Sequence, residues 1–242
     1  MAEKLGSISK QIHWPLLVRA VVFALAWWYL PTWLFIIAAA GIYFWPLLGA
    51  RNNLPAFLVL TGIALATSPS VLMVLVYGVL CYYLLLIKDY LVVDRKSART
   101  MLAMALSFFL FLEFFSAWHT GLSPAGIFWA WIVAIAFGLL LNGVISARRG
   151  KEVNDEQASD RRLRHAAAGV MALVLFETLM VCLFLPVDFT YQSIIAFLMA
   201  ALLLDLVPVY FFQELDARRI RITGLAVFVM LVIVLASAAW KI

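Results

Sequence analysis

The stretch 164–213 constrains this chain more than any other, because it holds two apolar runs, 166–186 and 191–212, joined by a very short polar loop. The hydrocarbon core of a bilayer is about 30 Å thick, and a helix rising about 1.5 Å per residue crosses it in roughly 20 residues. Both runs reach that length. A soluble fold would have to cover such surfaces with polar residues, yet 66% of the 242 residues are apolar and 13% are charged, against about 25% charged in an ordinary soluble domain. Lipid removes the requirement by solvating Leu, Val, Phe and Ala directly. The expected fold is all-α: a polytopic transmembrane helix bundle forming one integral membrane domain over residues 1–242.

The remaining apolar runs thread in the same way. Nine spans are expected, at 14–30, 32–50, 54–67, 71–91, 100–118, 125–145, 166–186, 191–212 and 223–240. Pro31 interrupts the first, and Pro55 suits the first turn of the third. Ser68, Pro69 and Ser70 signal a tight turn. The longest polar stretch, 146–164, reads as a cytoplasmic loop. Residues 2–13 are polar and mildly basic, and the run after them reads as a retained first span rather than a cleaved leader. Cys81 and Cys182 fall inside apolar runs, which predicts buried thiols and no disulfide framework.

Charge orients the threading. With the N-terminus inside, nine spans place seventeen of the eighteen Lys and Arg residues on or near the inner side, leaving Lys241 outside. One misplaced boundary would swap every later loop and destroy that imbalance, so the expected topology is N-in and C-out. The net charge of +5 is thereby assigned to inner loops and membrane lipids, and no nucleic-acid partner is implied. This rule points to a plasma membrane of the bacterial inner-membrane type. Trp27, Trp28, Trp33, Trp118, Trp129, Trp131 and Trp240 fall near the outer boundary, and Trp14 and Trp45 near the inner one, as interfacial indoles should.

Polar residues inside the spans need partners, because a charge at the bilayer centre costs about 2.5 to 3.5 kcal/mol on insertion scales. The candidates are Glu113, Asn142, Glu177, Asp205 and the basic Arg19. By helical rise Glu113 lies in the outer half, Glu177 near the middle, and Asn142 and Asp205 in the inner half. Pro208 cannot donate to the Leu204 carbonyl, which leaves that carbonyl free beside Asp205. The sequence thus predicts one polar pocket lined by Asp205, the Leu204 carbonyl and Glu177. Leucine triplets at 84–86, 139–141 and 202–204 precede Ala-Arg pairs, and Glu113 to Asn142 spans 29 positions where Glu177 to Asp205 spans 28. That spacing suggests repeated hairpins at 100–145 and 166–213. Small-residue pairs, Ala20 with Ala24, Gly62 with Ala66 and Ala134 with Gly138, mark expected helix contact faces.

Catalytic motifs are missing from the sequence: it has no zinc-binding histidine pair, no phosphate-binding glycine loop and no nucleophile elbow. His13, His119 and His165 fall at span boundaries, so neither a metal site nor a particular cofactor is implied. The expected role is a non-catalytic integral membrane subunit that anchors or scaffolds a larger membrane complex, with protein partners within the membrane and a cytoplasmic docking surface at 148–164. Two alternatives stand beside it. One is a small transporter or proton- or ion-coupled subunit using Glu177 and Asp205; the other is a membrane enzyme acting on a lipid or lipid-linked substrate.

Overall fold

The computed structural model describes residues 13–45, 50–89, 95–118, 123–148, 157–211, 217–238 and 240, and among these residues it forms nine α-helices and no strand. They are α1 Trp14–Tyr29, α2 Thr32–Phe44, α3 Ala50–Ala66, α4 Val71–Lys88, α5 Arg95–Trp118, α6 Pro124–Arg148, α7 Gln157–Phe184, α8 Phe189–Phe211 and α9 Ala217–Ser237. Each expected span corresponds to one helix. Six of them, α4 to α9, are long and apolar enough to cross a membrane. The first three have 16, 13 and 17 residues and are short for a crossing. The architecture is an all-α bundle with the long apolar helices of an integral membrane protein.

Several boundaries differ from the sequence reading, each for a local reason. Backbone at Trp45 turns extended ahead of Pro46, so α2 stops at Phe44 rather than 50. Helix α3 starts at Ala50 and carries Pro55 inside it. The expected loop 146–164 is helical at both ends, because α6 continues to Arg148 and α7 begins at Gln157. A helix already nucleated in the membrane extends by one hydrogen bond per residue, without a new nucleation cost. Residues 149–156, the centre of that loop, lie outside the described residues.

The chain forms two compact units, Met1–Val93 and Asp94–Ile242. In the first, the four helices close a ring in which each packs on the next and α4 returns to α1. The α1–α4 contact is close: a Cβ on Gly78 would meet the Cβ of Ala24 at 3.5 Å, and Ala20 and Ala24 are both buried. The Ala20–Ala24 face is therefore a packing face, as its spacing predicts. Gly62 and Ala66 are exposed, and nothing lies near Gly62, so that pair is not a contact face here.

Short helices expose a particular problem in lipid, because the last four carbonyls of each have no partner in their own helix. Neighbours supply the donors. At the end of α3, Trp27 Nε1 of α1 donates to the Ala64 carbonyl at 2.6 Å, and the Thr67 hydroxyl donates to the Ile63 carbonyl at 2.9 Å. Trp27 packs edge-on against Tyr77 of α4, whose hydroxyl lies 2.6 Å from that of Thr67. Trp27 is buried, so it ties three helices together rather than standing as an interfacial anchor. Trp14, Trp33 and Trp45 remain exposed near helix ends.

In the second unit α5, α6, α7 and α8 close a similar ring, and α9 packs on α8. None of the stretch Ile220–Ser237 in α9 is buried. Helices α6 and α7 meet most tightly at Gly138, where an added Cβ would lie 3.1 Å from the Ala172 Cβ and 3.2 Å from the Ala168 carbonyl oxygen. Ala134, one turn earlier, is fully buried, so the Ala134–Gly138 face packs as expected. Ser193 joins α8 to its neighbours by donating to the Phe189 carbonyl at 2.7 Å and towards the Phe111 carbonyl of α5 at 3.4 Å. Residues 100–145 lie within the pair α5–α6, and residues 166–211 within α7–α8.

Candidate functional site

Glu177 lies on the exposed side of its helix. On α7 the buried positions Ala172, Leu175, Leu179 and Cys182 turn one face into the bundle, while Val170, Leu173, Glu177, Val181 and Phe184 lie on the exposed face. Seven residues separate Glu177 from Phe184 and thirteen separate it from Arg164, about 10 Å and about 20 Å along the helix. Neither end is within reach of a glutamate side chain. No described residue hydrogen-bonds or ion-pairs with this carboxylate. The core-facing stripe of α7 is fixed by its small and apolar residues, half a helical turn away from Glu177.

Asp205 is half-buried on α8 and accepts a hydrogen bond from the Thr223 hydroxyl of α9 at 3.3 Å. Leu204 and Pro208 are buried beside it, and α8 runs on through Pro208 to Phe211. Within the α7–α8 hairpin Glu177 lies seven residues before Phe184 and Asp205 sixteen after Phe189, so their depths differ by about 13 Å. The predicted shared pocket is therefore not assembled: Asp205 serves the α8–α9 contact, and Glu177 points elsewhere.

Glu113 is half-buried on α5, where its carbonyl accepts from the Ser116 hydroxyl at 3.0 Å. Asn142 is half-buried on α6, with its Oδ1 enclosed and without a hydrogen-bond partner. Two buried residues missed by the sequence reading share that condition: the Ser107 hydroxyl on α5 and Oε1 of Gln192 on α8. Serine and glutamine inside apolar runs are a weak signal, and the carboxylates drew the attention they needed.

In the first unit Arg19, the basic candidate, is held at two points. Its Nη1 donates to the Trp45 carbonyl at 2.8 Å and lies 3.9 Å from the Asp89 carboxylate. Lys88, counted from sequence among the basic residues on or near the inner side, is 0% exposed. Its Nζ donates to the Tyr43 carbonyl and sits 5.1 Å from the centre of the Tyr43 ring, which stacks on Phe57 at 4.1 Å. Arg19 and Lys88 thus bring two cations from α1 and α4 to the carbonyl-rich end of α2, where the helix dipole favours positive charge. A signal was available: Tyr77, Cys81, Leu84 and Lys88 recur at helical spacing on one buried face.

Among the described residues no group of three His, Cys, Asp or Glu side chains could hold a metal ion. Cys81 and Cys182 are buried free thiols. His13 and His165 are exposed at or near helix starts, and His119 lies outside the described residues. These features define a multi-span, all-α membrane protein with one carboxylate facing out from the middle of a spanning helix. No family model matches the chain, and it has no significant match among curated proteins or solved structures.

Proposed function

We propose that this protein is a non-catalytic membrane subunit that holds a partner within the bilayer, and that the outer face of α7 is its assembly surface. The observation that carries this reading is Glu177, a carboxylate without a partner among the described residues, on an exposed helix face about 10 Å from the nearer helix end. Leaving it against lipid costs several kcal/mol, and intramembrane acids ordinarily face a bundle interior, a cavity or a partner. Within the Asp94–Ile242 unit, the buried side of α7 is the face opposite Glu177. The nine-span threading, N-in and C-out in a bacterial-type inner membrane, belongs to the same proposal and rests on the asymmetry of the basic residues.

Photo-crosslinking in the host membrane tests this. A photoreactive residue at Leu173 or Val181, which flank Glu177 on the exposed face, is expected to yield protein adducts. The same group at Val79, exposed on α4, serves as the comparison position for lipid labelling. Lipid adducts alone from Leu173 and Val181 would contradict the assembly reading.

One set of observations favours a second reading, a water- or proton-conducting element. Unpartnered polar atoms of Gln192, Ser107 and Asn142 occupy α8, α5 and α6, three helices in mutual contact. Ordered water is the usual remedy for such groups. Proton flux into vesicles that is lost on Ser107→Ala and Asn142→Leu supports this reading, and equal flux removes it.

A further inference from the structure

We infer that the partner seated on α7 is a single transmembrane helix of a different protein, carrying one Lys or Arg at the depth of Glu177. This inference rests on the assembly reading above and names the chemistry of its partner.

The shape of the face selects a helix. In the hydrocarbon region only a helix or a closed barrel satisfies its own backbone. The outward residues Ala166, Val170, Leu173, Glu177, Met180 and Phe184 follow one another at spacings of four, three, four, three and four. All are exposed except Met180, which is half-buried. That alternation is the seam of a left-handed helix pair, which keeps two helices in contact over several turns. Gly169 is exposed on the same side with no atom within 4 Å of an added Cβ, leaving room for close approach of a second backbone. One polar residue within an apolar seam fixes register.

Charge complementarity selects the partner's residue. A symmetric pair of copies would oppose Glu177 with Glu177, carboxylate against carboxylate. Copies in one membrane share an orientation, so each group meets only groups at its own depth. Within Asp94–Ile242 the described basic side chains, Arg99, Arg162, Arg164, His165, Arg218 and Arg221, all lie near the starts of α5, α7 and α9. His165 is twelve positions before Glu177, about 18 Å along the helix. A second copy therefore brings no cation to Glu177 from this unit, and in its other unit Arg19 is held by the Trp45 carbonyl and Asp89 and Lys88 is buried on the Tyr43 carbonyl, whereas a foreign helix with one Lys or Arg supplies both charge and hydrogen-bond donors.

The test uses the full chain reconstituted in phosphatidylcholine vesicles with two labelled Leu-rich peptides of roughly 20 residues. One is all-apolar and the other has a single Lys two turns from one end; energy transfer reports association. The wild-type chain is expected to bind the Lys peptide about tenfold more tightly than the apolar one, in keeping with interhelical polar contacts in lipid. That preference is expected to disappear in Glu177→Leu and to fall sharply in Glu177→Gln, with thermal stability of both variants unchanged because the residue is exposed and no described residue hydrogen-bonds or ion-pairs with its carboxylate. Equal binding of the two peptides, or a preference that survives Glu177→Leu, overturns the inference. Glu177-dependent self-association of the chain without peptide also overturns it, in favour of a second copy. Protein adducts at Leu173 combined with no Lys preference would leave the assembly reading standing and remove only the basic partner.

Discussion

Lys88→Ala is expected to destabilise the Met1–Val93 unit by about 3 to 5 kcal/mol, read as a loss of thermal stability in detergent or in reconstituted bilayers. Truncation of a long buried side chain leaves a cavity costing about 2 to 5 kcal/mol. It also strips the Tyr43 carbonyl of its donor, and an orphaned buried acceptor costs about 1 to 3 kcal/mol. These contributions overlap as the cavity relaxes, so the expected total lies below their sum. Lys88→Met separates them: it keeps most of the volume but donates nothing, so the expected loss is about 1 to 3 kcal/mol. Both losses follow from the position of Lys88, which is fully enclosed between α2 and α4 with its ammonium on the Tyr43 carbonyl and ring. A neutral Lys88→Ala variant would mean that this side chain lies outside the core and that α2 is capped in some other way.

Gly138→Leu is the second large effect expected, in the Asp94–Ile242 unit. An added Cβ already lies 3.1 Å from Ala172 and 3.2 Å from the backbone oxygen of Ala168. The oxygen belongs to a helix and cannot swing aside, so a leucine must push α6 from α7. Overpacking of this kind costs about 1 to 3 kcal/mol and sometimes more. Gly138→Ala should cost less, because alanine recovers up to about 1 kcal/mol of helix propensity. Gly62→Leu is the internal comparison: nothing lies near that glycine, and exposed substitutions are ordinarily within about 0.5 kcal/mol of neutral. Thermal unfolding of the three variants measures the order. If Gly138→Leu were as stable as Gly62→Leu, the α6–α7 approach would be wrong.

Among the described residues the place of the helices was legible in the sequence because length and apolarity decide it. Pro31 and the Ser68–Pro69–Ser70 turn separate helices where steric rules say they should. Helix ends were less legible: α7 reaches back to Gln157 through a polar stretch that reads as loop, because helix propagation is indifferent to polarity once the helix exists. The candidate site was half legible. Apolar surroundings single out Glu177 and Asp205 in one dimension, but which side of α7 faces the bundle depends on Gly138 of another helix meeting Ala168 and Ala172. Lys88 was legible only as an inner-side charge for a related reason, because the carbonyl that takes its hydrogen bond lies at the end of another helix, α2. Trp27 followed the same pattern, with its indole taken by the end of α3 rather than by the membrane interface.

In both units the charged side chains and the indole considered above have partners, Arg19, Lys88 and Trp27 by capping carbonyls and Asp205 by a hydroxyl, as polar groups in hydrocarbon ordinarily require. Glu177 extends that rule beyond the chain. Mass measurement of the protein extracted from its host membrane in lipid nanodiscs, as wild type and as Glu177→Leu, tests this most directly. The account predicts that the wild-type chain of 27.1 kDa carries a second membrane protein in fixed stoichiometry and that the variant loses it. Recovery of the single chain alone from both would contradict it.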